Sequence, residues 1–299
     1  MSTLLSCDYI TIMDAPGNLQ AVGSWLRDNH SVEILQFEAV AGGCINRTGR
    51  LTLSNGRRLF VKYQTKTPAD FFAAEAHGLG CLRQATDLRV PAVVHADREF
   101  LLLEDLGSGA RVGDFWTRLG EGLAQLHRDK HTEFGLERDN YCGLTRQHNP
   151  TVRDGFDFFA RHRLDELADR ARQTGLLENR DRRRLEILAA TLRDWLPEQP
   201  PVLIHGDLWS GNVHCDGRGN PALIDPACYR GWAEAELAMT TLFGGFPESF
   251  YQAYEAASAI DPGWRERAPL YNLYHLLNHL LLFGGGYLAQ IRSVLSQYV

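Results

Sequence analysis

Two short apolar runs, residues 202–204 (VLI) and 222–224 (ALI), flank the segment His205-Gly206-Asp207-Leu208-Trp209-Ser210-Gly211-Asn212, and the second run ends on Asp225-Pro226. This order constrains the chain more than any other feature. A lone Asp-Gly or Asn-Gly marks only a turn. Here a short loop holds a carboxylate and an amide five positions apart, and the next strand returns a second carboxylate to the same end. The pattern therefore predicts two short strands whose ends converge on Asp207, Asn212 and Asp225. His205, at the loop entrance, reads as a hydrogen-bonding brace.

The N-terminal part reads as strands. Residues 32–40 (VEILQFEAV) are β-rich and run into Ala41-Gly42-Gly43-Cys44. Residues 50–53 and 59–62 (LFVK) flank Asn55-Gly56, a strong two-residue hairpin signal. The order is strand, Gly-rich loop, strand, tight turn, and a strand ending in Lys62. A helix is predicted to begin near Pro68, with Thr67 as its cap. Phe71, Phe72, Glu75, Leu79 and Leu82 recur at helical spacing, so Glu75 falls on the inward face, where a carboxylate needs a partner. Residues 100–103 (FLLL) read as a buried strand, followed by Glu104-Asp105-Leu106 and a Gly107-Ser108-Gly109 linker. Beyond Asp114 the pattern turns helical. One face is marked by Phe115, Leu119, Leu123, Leu126 and His127, and further helices are predicted over about 152–175 and 178–195 and through most of the chain after 233.

A chain of 299 residues is long for one compact core. We expect an α+β, bilobal fold: residues 1–106 as an antiparallel-sheet lobe with one main helix, and 107–299 as a mostly helical lobe. The formal net charge of −6 argues against a nucleic-acid partner. No run approaches the ~20 apolar residues of a bilayer span. The six cysteines (Cys7, Cys44, Cys81, Cys142, Cys215, Cys228) form no C-x-x-C pair or zinc pattern, which reads as reduced and cytoplasmic. Leu4-Leu5-Ser6-Cys7 lacks the basic and long apolar stretches of an export signal. A monomer or weak dimer is expected.

The spacing of His205, Asp207 and Asn212 is that of the protein-kinase catalytic loop, with Gly206 where those enzymes carry Arg. In such a site Asp207 is the base that takes a hydroxyl proton, while Asn212 and Asp225 hold Mg²⁺ on the phosphates of ATP. The upstream elements then acquire roles. Gly42 and Gly43 cover the phosphates, Lys62 grips them and Glu75 orients Lys62. Glu104, Asp105 and Leu106 supply the hinge that meets adenine. The chain has neither a full G-x-G-x-x-G nor a Walker A sequence. Trp209, inside the catalytic loop, is expected to line the substrate pocket, whereas Trp116, Trp195 and Trp264 read as core. His275 and His279 are four apart, but no HEXXH pattern accompanies them, so they read as buried structural histidines. Cys44, in the phosphate loop, is a candidate redox position.

With these residues in view, the chain resembles the fructosamine kinase (ketosamine-3-kinase) family, whose fold is that of the aminoglycoside phosphotransferases. The resemblance runs from about Ala39 onward. It is carried by Gly42-Gly43-Cys44-Ile45-Asn46, Phe60-Val61-Lys62, Ala74-Glu75-Ala76, Asp139-Asn140-Tyr141-Cys142-Gly143, HGDLWSGN, Ile224-Asp225-Pro226-Ala227 and LFGGG at 282–286. Trp209 after Leu208 separates this family from most aminoglycoside phosphotransferases. The resemblance implies transfer of the ATP γ-phosphate to the 3-hydroxyl of a free or protein-bound sugar ketoamine, a deglycation repair. The segment Tyr229-Arg230-Gly231-Trp232-Ala233-Glu234-Ala235-Glu236 departs from the family's usual Tyr-Tyr-Gly-His-Arg-Glu-x-Asp, with Glu236 in place of Asp. Two alternatives stay open: a kinase for an aminoglycoside, choline or homoserine, and a non-catalytic ATP-binding protein.

Overall fold

The computed structural model describes residues 17–40, 47–64 and 66–299. In chain order the N-terminal lobe comprises α1 (Gly17–His30), β1 (Ile34–Val40), β2 (Arg47–Leu53), β3 (Arg58–Tyr63), α2 (Phe71–Ala85), β4 (Val93–Ala96) and β5 (Phe100–Glu104). The strands form one antiparallel sheet in the order β1-β2-β3-β5-β4. Side chains of a strand alternate between faces, and β3 shows the consequence. Leu59, Val61 and Tyr63 join Phe100 and Leu102 in a cluster closed by Leu19, Val22 and Leu26 of α1. Lys62 therefore points to the opposite face, toward α2, where Leu101 and Leu103 belong to the main core. Each such fully buried aliphatic side chain contributes about 1.5–3 kcal/mol.

The C-terminal lobe begins with α3 (Phe115–Leu126), then β6 (Asn140–Cys142) and β7 (Thr145–Gln147), followed by α4 (Gly155–Phe159), α5 (Glu166–Gln173), α6 (Asn179–Ala190) and α7 (Leu192–Trp195). The strands β8 (Val202–Ile204), β9 (Val213–Cys215), β10 (Pro221–Leu223) and β11 (Tyr229–Gly231) precede α8 (Ala233–Leu242), α9 (Glu248–Ala257), α10 (Trp264–Phe283) and α11 (Leu288–Tyr298). An antiparallel-sheet lobe joined to a mostly helical one is the bilobal α+β architecture that the sequence predicts. Among the described residues no helix is long and apolar enough to cross a membrane.

A tight turn forms at Asn55-Gly56, but as a three-residue loop and not the two-residue one expected: the Leu53 N–H donates to Arg57 O and the Gly56 N–H to Leu53 O, each at 2.9 Å, with Gly56 at φ 80°. Three further local expectations are corrected. Helix α2 starts at Phe71, not near Pro68, and Thr67 does not cap it: its hydroxyl is buried without a partner among the described residues. The helix predicted over 152–175 contains a π turn, Ala160–Asp165, that sets buried Arg163 3.9 Å from the Tyr229 ring centroid. Trp195 is not core. It is 42% exposed at the end of α7 and meets the ring edge of Tyr298. The Gly-Ser-Gly segment is held in place by hydrogen bonds on its C-terminal-lobe side. Gly107 O accepts from His214 Nε2 at 2.6 Å, Leu106 O from Gly217 N at 2.8 Å, and Gly109 N donates to Cys215 O at 3.0 Å. These bonds strap it to the β9–β10 hairpin.

Candidate active site

The loop between β8 and β9 is held from below by two side chains. The Gly206 N–H donates to Glu236 Oε1 at 3.1 Å, and the His205 N–H donates to Oε2 of the same carboxylate. Glu236, near the start of α8, is 1% exposed. His205 braces the loop sideways. Its Nδ1 accepts from the Asp207 N–H at 3.3 Å and its Nε2 bonds Ile224 O at 2.8 Å, which assigns the proton to Nε2. Burial lowers the His205 pKa and favours this neutral form. Gly206 has φ 81°, and a Cβ there would lie 2.1 Å from Ala227 O. No side chain, Arg included, fits at this position.

The loop delivers Asp207 and Asn212 to one place. Asn212 Nδ2 donates to Asp207 O at 2.7 Å and to Asp207 Oδ2 at 3.1 Å, which leaves the Asn212 amide oxygen, an acceptor, as the side-chain atom that can ligate a cation. Burial pushes the Asp207 carboxyl up to about 7; the Asn212 hydrogen bond opposes this, and the charges of Asp225 and Glu236 add to it. Asp225 follows β10 in a left-handed conformation, φ 56°, which is rare for a residue with a side chain and costs about 1–3 kcal/mol. That turn aims its Oδ1 at Lys62 Nζ. Lys62 also meets Glu75 Oε1 at 2.5 Å. Burial alone lowers the pKa of Lys62, but the Asp225 and Glu75 carboxylates outweigh it and hold the ammonium charged. Burial raises the pKa of Glu75 against the pull of Lys62.

Lys62, Glu75 and Asp225 thus form one ion-paired cluster across the two lobes, and the Asp207–Asn212 pair stands next to it: the Ile224 N–H donates to Asn212 O at 3.1 Å, and the Asp225 charge acts on Asp207. One ammonium faces two carboxylates there, with Asp207 a third negative group nearby. The oxygens left for a cation are hard: the second oxygen of Asp225, whose side chain is 41% exposed, and the amide oxygen of buried Asn212. Such a set, short of positive charge, fits a divalent cation of the magnesium type with its phosphate ligands. The Glu104 N–H is bonded to Ala92 O at 2.8 Å and Leu106 O is taken by Gly217, but among the described residues the Leu106 N–H donates to no acceptor. The side chains of Glu104 and Asp105 turn elsewhere, Glu104 to Arg89 at 2.6 Å and Asp105 to Arg50 and Arg58 at 3.3 and 3.1 Å. Gly42, Gly43 and Cys44 lie outside the described residues.

Trp209 is half-buried beside the loop and begins an aromatic line. Its ring centroid is 6.0 Å from that of Phe243, which lies 4.6 Å from His279, itself 5.2 Å from Tyr287. His279 is therefore part of a wall next to the catalytic loop. His275 is buried, as expected of a structural histidine, but its Nδ1 has no partner and a ring nitrogen lies within 4.8 Å of donor atoms of Asp207 and Cys142. Its place beside Asp207 and the loop support from Glu236 were not read from sequence. Neither was Arg111, whose guanidinium donates to Ser210 O at 3.0 Å and also to Val213 O.

The fructosamine kinase family model matches residues 19–299, nearly the whole chain and every element of this cluster. The chain belongs to the fructosamine kinase family. A Synechocystis protein named a probable ketoamine kinase is 41% identical over 272 residues, 88% of this chain and 90% of that one. The chloroplastic protein-ribulosamine 3-kinase of Oryza sativa subsp. japonica is 32% identical, covering 97% of this chain and 86% of its own. A crystal structure of a Thermobifida fusca protein named for fructosamine-3-kinase superposes with a TM-score of 0.84 at 31% identity, covering 92% of this chain and 97% of that one. As a fructosamine kinase family member the chain has the kinase-like fold and uses ATP. Its Glu236 shows what the departure from the usual Asp does: the carboxylate is kept, and it carries the catalytic loop's backbone.

Proposed function

We propose that this chain is a ketosamine-3-kinase that phosphorylates the 3-hydroxyl of a sugar ketoamine with ATP and Mg²⁺, a step of deglycation repair. The observation that carries the reading is the Asp207 carboxylate, hydrogen-bonded to Asn212 and under the charge of Asp225, which pairs with Lys62 beside Glu75. When bound, ATP with its cation supplies the transferable phosphoryl group and neutralises the charge that develops on it. Asp207 accepts the proton of the sugar hydroxyl. Its raised pKa keeps it basic enough for that task near neutral pH. Lys62, oriented by Glu75, positions the phosphates together with Gly42 and Gly43; Asn212 and Asp225 hold the metal; the Leu106 N–H, flanked by Glu104 and Asp105, meets adenine. His205 braces the loop. Trp209 stacks on the ketoamine, and the aromatic line behind it gives an adduct room to lie along the wall.

The lobes divide after Leu106, into 1–106 and 107–299. The protein works in the cytoplasm as a monomer or weak dimer on free or protein-bound adducts, and Cys44 is a position where oxidation inhibits it. ADP release assayed with ribose-, erythrose- and fructose-derived ketoamines, beside an aminoglycoside and choline, tests the reading. Turnover confined to the ketoamines, with phosphate on O3, supports it; turnover only with an aminoglycoside or choline, or none with any acceptor, sinks it.

A further inference from the structure

Helix α2 carries more than Glu75. His77 and Cys81 stand one helical turn apart on one face, as residues at i and i+4 do. His77 Nε2 lies 3.6 Å from Cys81 Sγ and 3.6 Å from Glu137 Oε1. Glu137 belongs to the other lobe, in the segment between α3 and β6. The three donor atoms all lie within 4.8 Å of one another. His77 and Cys81 are half-buried and Glu137 is exposed, so solvent reaches the cluster.

These separations suit a tetrahedral ion. Zinc binds nitrogen at about 2.0–2.1 Å and sulfur at about 2.3 Å, which places two tetrahedral donors about 3.6 Å apart. A nitrogen, a sulfur and a carboxylate oxygen also form a donor set that selects zinc over magnesium or calcium. Glu137 Oε2 is 3.6 Å from Arg230 Nη2, an outer contact that leaves Oε1 free to face the ion. The geometry points to a zinc site formed by His77, Cys81 and Glu137, with water in the fourth position, that ties helix α2 to the C-terminal lobe.

Burial and then the Glu137 charge push the Cys81 thiol up, so it keeps its proton at neutral pH without a metal. Binding forms the Zn–S bond as the thiol releases that proton to solvent, with no change of oxidation state. The consequence is mechanical. Glu75 sits two residues before His77, and an ion clamping this turn of α2 fixes the helix in the position where Glu75 meets Lys62.

The test uses the full chain, free of nucleotide and magnesium, titrated with Co²⁺ and then Zn²⁺. One equivalent of Co²⁺ is expected to produce a thiolate-to-metal charge-transfer band and the intense visible bands of a tetrahedral ion, and Zn²⁺ to displace it. Cys81→Ser abolishes the charge-transfer band, His77→Ala weakens zinc binding by at least about tenfold, and Cys142→Ser leaves both unchanged. Zinc raises the thermal midpoint of the wild type but not of His77→Ala. Absence of a thiolate band in the wild type overturns the assignment. So does a band that survives Cys81→Ser and disappears in Cys142→Ser, which would place the ion on Cys142, Asp207 and His275.

Discussion

Asn212 folds its amide back onto Asp207, donating from one nitrogen to both the backbone carbonyl (2.7 Å) and the carboxylate (3.1 Å) of the same residue. The base and its neighbour thus sit five positions apart on one loop of the C-terminal lobe and make this contact within it. Asp207→Asn keeps the size and much of the hydrogen bonding but removes the base. We expect kcat to fall by about 10²–10⁴-fold with little change in the far-ultraviolet circular dichroism. Turnover within a few-fold of wild type would refute the role.

The same residue sets a pH dependence of stability. An unfolded Asp titrates near 3.9, whereas Asp207 is pushed up to about 7. Between those values the folded chain binds a proton that the unfolded chain has lost, so this group's contribution is complete below about pH 4 and is lost as pH rises through about 7. Urea midpoints of the nucleotide-free protein at pH 5 and pH 8 measure the slope. Asp207→Asn is expected to flatten it, and an unchanged slope in the variant would show that other groups dominate.

Removing the ammonium of Lys62 strands two carboxylates. A fully buried pair broken on one side costs about 3–5 kcal/mol. Asp225 is 41% exposed, so solvent screens part of the loss, and Lys62→Ala is expected to destabilise by about 1–3 kcal/mol. Its KM for ATP should rise at least tenfold, in about the range of one lost charge-assisted contact. Calorimetry and initial rates read the two effects separately. A variant with normal ATP dependence would remove Lys62 from the phosphate site.

Two glycines with nearly the same φ separate conformational cost from steric cost. Gly56 (φ 80°) has nothing within 4 Å of an added Cβ, and Gly206 (φ 81°) has Ala227 O at 2.1 Å. Gly56→Ala should lose about 1–2 kcal/mol and keep full activity. Gly206→Ala should lose clearly more and have little activity, because the backbone that must yield is that of the catalytic loop. Equal midpoints for the two variants would contradict the close approach.

Glu236→Ala leaves the His205 and Gly206 N–H groups buried without an acceptor, at about 1–3 kcal/mol each. We expect a fall in both thermal midpoint and kcat. Glu236→Gln, which retains one acceptor oxygen, should recover part of each. If Glu236→Ala matches wild type in kcat, the loop does not depend on this support.

The parts of the site that were legible in the sequence are those built from consecutive residues. Asp207, Asn212 and Asp225 are close because a loop and one short hairpin make them so. Lys62 and Glu75 were readable because strand alternation and helical spacing each put a charge on an inward face. Glu236, His275 and Arg111 were not, since each reaches the loop from a distant element and no local period records the meeting. Helix α1 was overlooked although Leu19, Val22 and Leu26 recur at helical spacing, because polar residues dominate the rest of its length. Trp195 shows the reverse error. Its size and apolarity suited a core, but nothing in its own segment told which side of α7 would face water.

The strap between the lobes is anchored unequally. On the C-terminal side, residues 106–109 are fastened by hydrogen bonds to the β9–β10 hairpin. On the sheet side the same segment is tied mainly through charge, Asp105 to Arg50 and Arg58, with Arg50 also donating to Ser108 Oγ at 2.5 Å. Added electrolyte weakens partly exposed ion pairs far more than backbone bonds. Raising the ionic strength is therefore expected to loosen the strap's hold on the sheet before its hold on the β9–β10 hairpin.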